Sequence, residues 1–136
     1  MKKIMQVFAC VLGLLGVASA GIASDASKVQ QIQFKKGESG TTIKGVIKGD
    51  ENVDYKLTAN KGQKLEVIFN TKHNAYFNII PPGNHVDAIF SGAMKGDRFE
   101  GELPVKGTYT IRVYQMGADK NNKAKHEFTL AVKINN

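Results

Sequence analysis

The sequence has 136 residues, a formal net charge of +7 and a single cysteine. This length suits one domain, and 42% hydrophobic with 23% charged residues is ordinary globular composition, which argues against intrinsic disorder. One cysteine excludes an internal disulfide framework and a cysteine-rich zinc site.

Residues 1–20 have the pattern of a secretory signal peptide. A short basic start precedes an apolar run over residues 4–17, and three small residues end at Ala20. We therefore predict cleavage after Ala20, export to the periplasm and a single mature domain over residues 21–136. An uncleaved anchor and a lipoprotein signal at Cys10 are less favoured, because the run is short for a membrane span and most of it follows Cys10.

Beyond this segment, apolar residues recur at every second position, which predicts strands with one buried and one exposed face. Residues 60–63 are expected to form a tight hairpin loop in which Gly62 takes a positive φ, and Pro81 and Pro82 end the preceding strand. About eight short strands at this spacing predict an all-β, antiparallel β-sandwich of jelly-roll type. The alternating runs are residues 32–34, 43–47, 55–59, 65–69, 77–79, 109–113 and 128–134.

No pattern of catalytic residues stands out. The mature chain contains no thiol nucleophile, and its few serines lie in no nucleophile motif. His73, His85 and His126 have no metal-ligand spacing, so we interpret them as surface or edge histidines. The oxygen-rich residues 50–54 lack the EF-hand pattern, and a solvated hairpin is favoured there over a calcium site. We therefore expect neither an enzyme nor a bound cofactor.

The positive charge comes almost entirely from lysines that are scattered singly along the chain. No basic run with interleaved aromatic residues is present, so we expect no nucleic-acid partner. Isolated lysines on strand faces usually keep a protein soluble and protect sheet edges from pairing with other chains. We also expect no membrane contact once the signal peptide is removed.

The best candidate for a contact surface lies near the end of the chain. Tyr114 and Met116 take the exposed positions at the end of one strand, immediately before the polar residues 117–125. Exposed aromatic and methionine side chains beside a polar loop are typical of a binding patch. Alternatively, the two side chains cover a neighbouring strand or an edge of the sandwich.

Seven stretches over nearly the whole mature chain carry a resemblance to a known family. They are residues 34–39, 45–49, 53–55, 59–63, 75–83, 99–104 and 107–114. In order and spacing they resemble the periplasmic inhibitors of goose-type lysozyme and their relatives. The resemblance implies a small antiparallel β-sandwich similar to bacterial pre-peptidase C-terminal domains. It also implies a secreted protein that binds a host lysozyme and blocks its cleft.

The family carries an arginine-rich stretch, Met-Arg-x-x-Ala-Arg-Arg, after the strand that here ends near Tyr114. The corresponding stretch of this sequence is Met116-Gly117-Ala118-Asp119-Lys120-Asn121-Asn122, followed by Lys123. The resemblance implies a loop that fills a lysozyme cleft and masks its carboxylates. We expect Lys120 and Lys123 to act there as point charges, because an ammonium group lacks the bidentate geometry of arginine.

The loop and the resemblance together give a set of candidate binding residues, with no catalytic and no metal-binding residue among them. The candidates are Ser39, Tyr76, Tyr114, Met116, Asp119, Lys120 and Lys123.

Two other functions are compatible with the same sequence. A module that binds cell-wall glycan or peptidoglycan would use the aromatic faces of Tyr76, Tyr109 or Tyr114 on one exposed surface. An accessory stability domain is the other alternative. It is less favoured because the chain has its own signal peptide and no enzyme domain.

Overall fold

The computed structural model describes residues 27–83 and 88–136. The predicted signal peptide with its cleavage site, Cys10 and His85 lie outside the described residues. The strands are β1 (Ser27–Gln31), β2 (Gly40–Lys48), β3 (Asn52–Ala59), β4 (Lys64–Asn70), β5 (Ala75–Ile80), β6 (Phe90–Ser91), β7 (Arg98–Glu102), β8 (Gly107–Gln115) and β9 (Lys125–Asn135). The two short helices are α1 (Gly92–Lys95) and α2 (Gly117–Asn121).

The strands form two sheets that pack face to face. The first sheet has the order β1-β3-β8-β5-β6, and the second has the order β2-β9-β4-β7. The predicted all-β sandwich is confirmed, with three differences. The described residues contain nine strands instead of about eight, β1 runs parallel to β3, and two short helices interrupt the connections. Neither helix of the described residues is long and apolar enough to cross a membrane.

The core lies between the sheets and is filled by alternate residues of the strands, as the period of two predicts. Tyr109 belongs to this core, and its hydroxyl donates a hydrogen bond to the carbonyl of Val105. The use of Tyr109 as an exposed aromatic face for glycan binding is therefore wrong, and only Tyr76 and Tyr114 of the three tyrosines remain available for it. The innermost side chains are Tyr55, Leu65, Val67, Phe77, Ile79, Tyr109, Ile111, Val113, Leu130 and Val132.

Gly45 lies in the middle of β2 and makes room for the core aromatic rings. It is opposite Phe128 in the neighbouring strand β9. A Cβ on Gly45 would lie 2.4 Å from Cζ of Phe128 and 2.8 Å from the hydroxyl oxygen of Tyr55. Any larger residue would have to displace one of these two side chains, which explains a glycine within an otherwise apolar alternation.

The predicted hairpin loop between β3 and β4 is also confirmed. Gly62 has a φ of 90°, which is accessible mainly to glycine. The backbone N–H of Asn60 donates to Oε1 of Gln63 at 2.7 Å, and this bond closes the loop.

Candidate functional site

Three connections meet at one end of the sandwich, which we call the loop end. They are the β2–β3 turn (residues 49–51), the β4–β5 connection (residues 71–74) and residues 116–124, which contain α2. The buried side chain of Gln115 links two of them, because its Nε2 donates to the carbonyl of Gly49 at 3.2 Å and to the carbonyl of Ala124 at 2.9 Å. The third connection is tied in by the N–H of Met116, which donates to the carbonyl of Asn74 at 3.2 Å.

The backbone of residues 116–124 is fixed by further local features. The N–H of Gly49 donates to the carbonyl of Ala124 at 2.9 Å, and the N–H of Asn122 donates to the carbonyl of Ala118 at 2.7 Å. Gly117 has a φ of 66° and Lys123 a φ of 58°, and these two left-handed residues bracket the helical turn. The segment is therefore a defined turn instead of the irregular loop that its composition suggested.

Most of the predicted binding residues come together at the loop end. Met116 is 43% exposed, and the side chains of Lys120 and Lys123 are exposed as well. Asp119 is different, because its carboxylate is half-buried and its Oδ2 accepts a hydrogen bond from the N–H of Asn74 at 3.3 Å. The lysines and the methionine of this segment are thus exposed to solvent, whereas the carboxylate of Asp119 binds the backbone of the β4–β5 connection.

Tyr76 and Tyr114 lie side by side on the outer face of the first sheet, next to the loop end. They are directly opposite each other in β5 and β8, with ring centroids 6.0 Å apart and planes tilted by 39°. The Tyr114 hydroxyl donates to Oδ1 of Asn78 at 3.0 Å, and the Tyr76 hydroxyl donates to Oδ1 of Asn74 at 2.9 Å. Burial raises the pKa of Tyr114 above its ordinary value, against smaller opposing effects of its hydrogen bonds. Both rings are half-buried, so they contact each other and also present an aromatic surface.

Ser39 lies elsewhere. It is exposed in the turn before β2, where its carbonyl accepts a hydrogen bond from the N–H of Ile134 at 2.8 Å. The nine residues of β2 separate it from the loop end, a length of about 30 Å. The structure therefore does not bring Ser39 together with the other six candidates.

The oxygen-rich residues 50–54, for which the sequence favours a solvated hairpin over a calcium site, span the β2–β3 turn and the start of β3. The carboxylate of Asp54 is buried and bound by the guanidinium of Arg112, and Oε1 of Glu51 accepts a hydrogen bond from the N–H of Lys48 at 3.1 Å. Asp54 and Glu51 are therefore already engaged by donors of the chain. The expectation of a solvated hairpin is wrong for Asp54, whose side chain lies beneath that of Arg112.

Two histidines that the sequence treated as unrelated lie together at the loop end. His73 in the β4–β5 connection and His126 in β9 stack with ring centroids 3.5 Å apart and planes 16° from parallel. Nδ1 of His126 lies 3.7 Å from Oδ2 of Asp119 and 2.8 Å from Oε1 of Gln115. No local pattern predicts this cluster, because His73, Asp119 and His126 come from two connections and a strand that are far apart in the sequence.

Comparisons with known proteins agree with this fold. No protein-family model matches the chain. The sequence is 32% identical to the inhibitor of g-type lysozyme of Escherichia coli (strain K12), over 96% of this chain and 99% of that protein. The crystal structure of a periplasmic inhibitor of g-type lysozyme from Aeromonas hydrophila matches with a TM-score of 0.75 and 33% identity, over 82% of this chain and 99% of that one. The pre-peptidase C-terminal domain of a Bacillus anthracis collagenase shares the fold at 14% identity, with a TM-score of 0.57, over 83% of this chain and 100% of that domain.

Proposed function

This chain belongs to the family of inhibitors of g-type lysozyme, and on that premise we propose that it is a periplasmic protein that binds a g-type lysozyme and blocks its cleft with the loop end. The binding is non-covalent and the chain itself performs no catalysis. The finer assignments are the residues that make contact, namely Met116, Lys120 and Lys123, supported by Tyr76 and Tyr114.

The observation that carries the proposal is the combination of exposed cations with a fixed backbone in residues 116–124. The exposed ammonium groups of Lys120 and Lys123 are carried by a turn whose Ala124 carbonyl accepts hydrogen bonds from the Gln115 side chain and from the N–H of Gly49. A preordered segment loses less conformational entropy on binding than a flexible loop does. The loop end is therefore suited to insertion into a cleft.

The charge of the loop end fits the chemistry of a glycosidase cleft. Glycoside hydrolases of this kind act through carboxyl groups that flank the scissile bond. The ammonium groups of Lys120 and Lys123 would pair with such carboxylates, and local charge complementarity would govern the association rate and the choice of partner. Met116 and the Tyr76–Tyr114 pair supply adjacent apolar and aromatic contact area.

Periplasmic location follows from the family and from the predicted signal peptide together. The Aeromonas hydrophila protein is itself a periplasmic inhibitor. Cleavage after Ala20 is the finer proposal, and the intact mass of the protein recovered from a periplasmic extract tests it. A mass equal to that of residues 21–136 supports the assignment, and a mass that includes residues 1–20 contradicts it.

The decisive experiment is a turbidity assay of cell-wall lysis with goose-, chicken- and invertebrate-type lysozymes, with and without the purified protein. We expect the goose-type enzyme to lose activity at micromolar protein, and Lys120→Glu with Lys123→Glu to abolish this loss. The matched control is Lys35→Glu with Lys36→Glu, which makes the same charge change at exposed positions before β2. If the control loses inhibition and the loop-end variant keeps it, the surface near Ser39 is the inhibitory one.

A second candidate function is glycan binding, which the paired rings of Tyr76 and Tyr114 favour. Adjacent aromatic faces on a rigid sheet provide apolar area with a polar edge. In this case purified peptidoglycan would retain the protein, a Tyr76→Ala variant would not be retained, and lysis by every lysozyme would be unaffected. Retention on peptidoglycan without any inhibition would replace the first proposal with the second.

A further inference from the structure

We propose that His73, Asp119 and His126 form a binding site for a divalent transition-metal ion with zinc-like ligand preferences. One potential ligand atom from each of the three residues lies within 4.8 Å of the others. Ligand atoms around tetrahedral zinc are about 3.4 Å apart, so the three atoms must approach one another by up to about 1.4 Å to coordinate one ion. Two imidazoles and one carboxylate are a common zinc ligand set and leave a fourth position open.

The backbone around the cluster already holds the three residues together. Asp119 accepts a hydrogen bond from the N–H of Asn74, the residue that follows His73. The hydroxyl of Thr71 donates to the carbonyl of Glu127 at 3.1 Å, which ties the connection that carries His73 to the strand that carries His126. The ligands thus come from segments that are fixed to one another without a metal, which limits the entropy lost on coordination.

Gln115 orients His126 as a metal ligand. Nε2 of Gln115 donates to two backbone carbonyls, so its Oε1 faces Nδ1 of His126 as an acceptor at 2.8 Å. Nδ1 of the neutral ring must then carry the proton, and the lone pair is on Nε2. Because the 3.7 Å approach of Asp119 is to Nδ1, coordination through Nε2 also requires the Asp119 carboxylate to turn toward that nitrogen. Ligating histidines in metal sites typically donate their second ring N–H to a carbonyl or carboxylate in this way. Two histidines that met on the surface by chance would not be expected to have a buried glutamine that fixes the tautomer of one ring.

The stacked rings indicate which residue moves on metal binding. The lone pair of an imidazole nitrogen lies in the plane of the ring. The two rings are nearly parallel with centroids 3.5 Å apart, so their lone pairs lie in parallel planes, whereas one shared ion requires the lone pairs to point toward the same position. His126 is held by Gln115 and is 17% exposed, whereas His73 is exposed on its connection. Coordination therefore tilts the ring of His73 out of the stack and leaves His126 in place.

The zinc proposal does not rest on lysozyme binding, so its test is direct metal binding. Tag-free, metal-stripped protein is titrated with zinc sulfate by isothermal calorimetry, and the zinc-dependent rise in melting temperature is measured in parallel. We expect one saturable zinc per chain, and about a tenfold or greater loss of affinity in both His73→Gln and Asp119→Asn. The matched control, Lys72→Gln, changes the exposed residue beside His73 and should bind zinc as the parent does.

A second measurement keeps the proposal testable if a variant folds poorly. In nuclear magnetic resonance spectra of the parent protein, zinc should shift the ring signals of His73 and His126 together. The absence of saturable binding up to about 1 mM zinc overturns the proposal. Unchanged binding in both His73→Gln and Asp119→Asn overturns it too, as do zinc-induced shifts at His85 in place of the pair.

Discussion

Arg112 holds Asp54 in a two-pronged ion pair between β8 and β3. Nε donates to Oδ1 at 2.8 Å and a terminal nitrogen donates to Oδ2 at 2.9 Å. The carboxylate side chain is 7% exposed and the guanidinium side chain 39% exposed. The hydrogen bond to Asp54 raises the pKa of Arg112 despite the opposing effect of burial, so the arginine stays charged across the physiological range.

Removal of the arginine should destabilise the fold because it leaves a buried carboxylate without its partner. We expect Arg112→Leu to lower the free energy of unfolding by about 2 kcal/mol, less than for a fully buried pair because water reaches the guanidinium. Urea unfolding measures the change. The control is Arg98→Leu, which breaks an exposed pair with Glu66 and should cost less than about 1 kcal/mol. Equal losses in the two variants would contradict a special role for Asp54.

Gln115 should control the order of the loop end. Gln115→Leu keeps the volume but removes the hydrogen bonds to the carbonyls of Gly49 and Ala124 and to His126. We expect a loss of about 2–4 kcal/mol in stability, because the buried carbonyl of Gly49 and the partly buried carbonyl of Ala124 each lose a donor and a network is broken. Hydrogen exchange should accelerate over residues 116–124 and 49–51 and stay unchanged in the core of β8.

The control for that experiment is Gln33→Leu, a matched change at an exposed position. It should leave both stability and exchange at the loop end close to those of the parent protein. Acceleration confined to β5 or β7 in Gln115→Leu would show that the glutamine does not hold the loop end.

Arginines at the loop end should strengthen lysozyme inhibition. Asn121 and Asn122 are exposed at the end of α2 and immediately after it, and a guanidinium at either position could engage a carboxylate with two parallel hydrogen bonds. We expect Asn121→Arg with Asn122→Arg to lower the half-inhibitory concentration about tenfold, which corresponds to one good charge-assisted hydrogen bond. The turbidity assay measures the change.

Gln31→Arg with Gln33→Arg is the matched control, because it adds the same charge at exposed positions away from the loop end. An equal gain in this control would show that net charge, and not position, determines potency. Gly117 is left unchanged in both proteins, since its φ of 66° would strain any side chain placed there.

Tyr114 should make stability depend on alkaline pH. Burial raises its pKa in the folded state above the ordinary value, so the folded protein keeps the phenolic proton that the unfolded chain loses first. This contribution to stability is complete below the pKa of the unfolded tyrosine, about 10, and is lost as the pH rises through the folded pKa. Thermal unfolding at several alkaline pH values should therefore show a smaller fall in Tyr114→Phe than in the parent.

Tyr55 provides the comparison, because burial raises its pKa as well. A Tyr55→Phe variant should keep the part of the pH dependence that Tyr114 causes. If Tyr114→Phe follows the parent at every pH, the phenol is more accessible to water than the structure indicates.

The strands were predictable because each core residue repeats a local rule. Leu57, Val67 and Ile111 occupy buried positions that alternation alone assigns. β1 was not predicted, because its sequence is almost entirely polar and shows no alternation. An edge strand that pairs on one side needs no apolar face. The helix α2 was not predicted either, since its five residues are too few to show a helical period of hydrophobic residues.

The candidate site was only partly predictable, for a related reason. Met116, Lys120 and Lys123 are close in sequence, so a loop prediction places them together. His73 and His126 meet only because β4, β5 and β9 turn at the same end of the sandwich, and this depends on the strand order. Ser39 was wrongly grouped with the other candidates. Its stretch of sequence matches the family, but such a match does not indicate which end of the sandwich the stretch occupies.

The hydrogen bonds of Gln115 have a consequence for how this segment can change over time. They hold the turn through backbone carbonyls, so the path of the chain does not depend on which side chains occupy the exposed positions 120–122. Substitutions at these positions can therefore change the exposed chemistry of the loop end while the sandwich keeps its shape. Such an arrangement permits this short stretch to diversify faster than the strands that carry it.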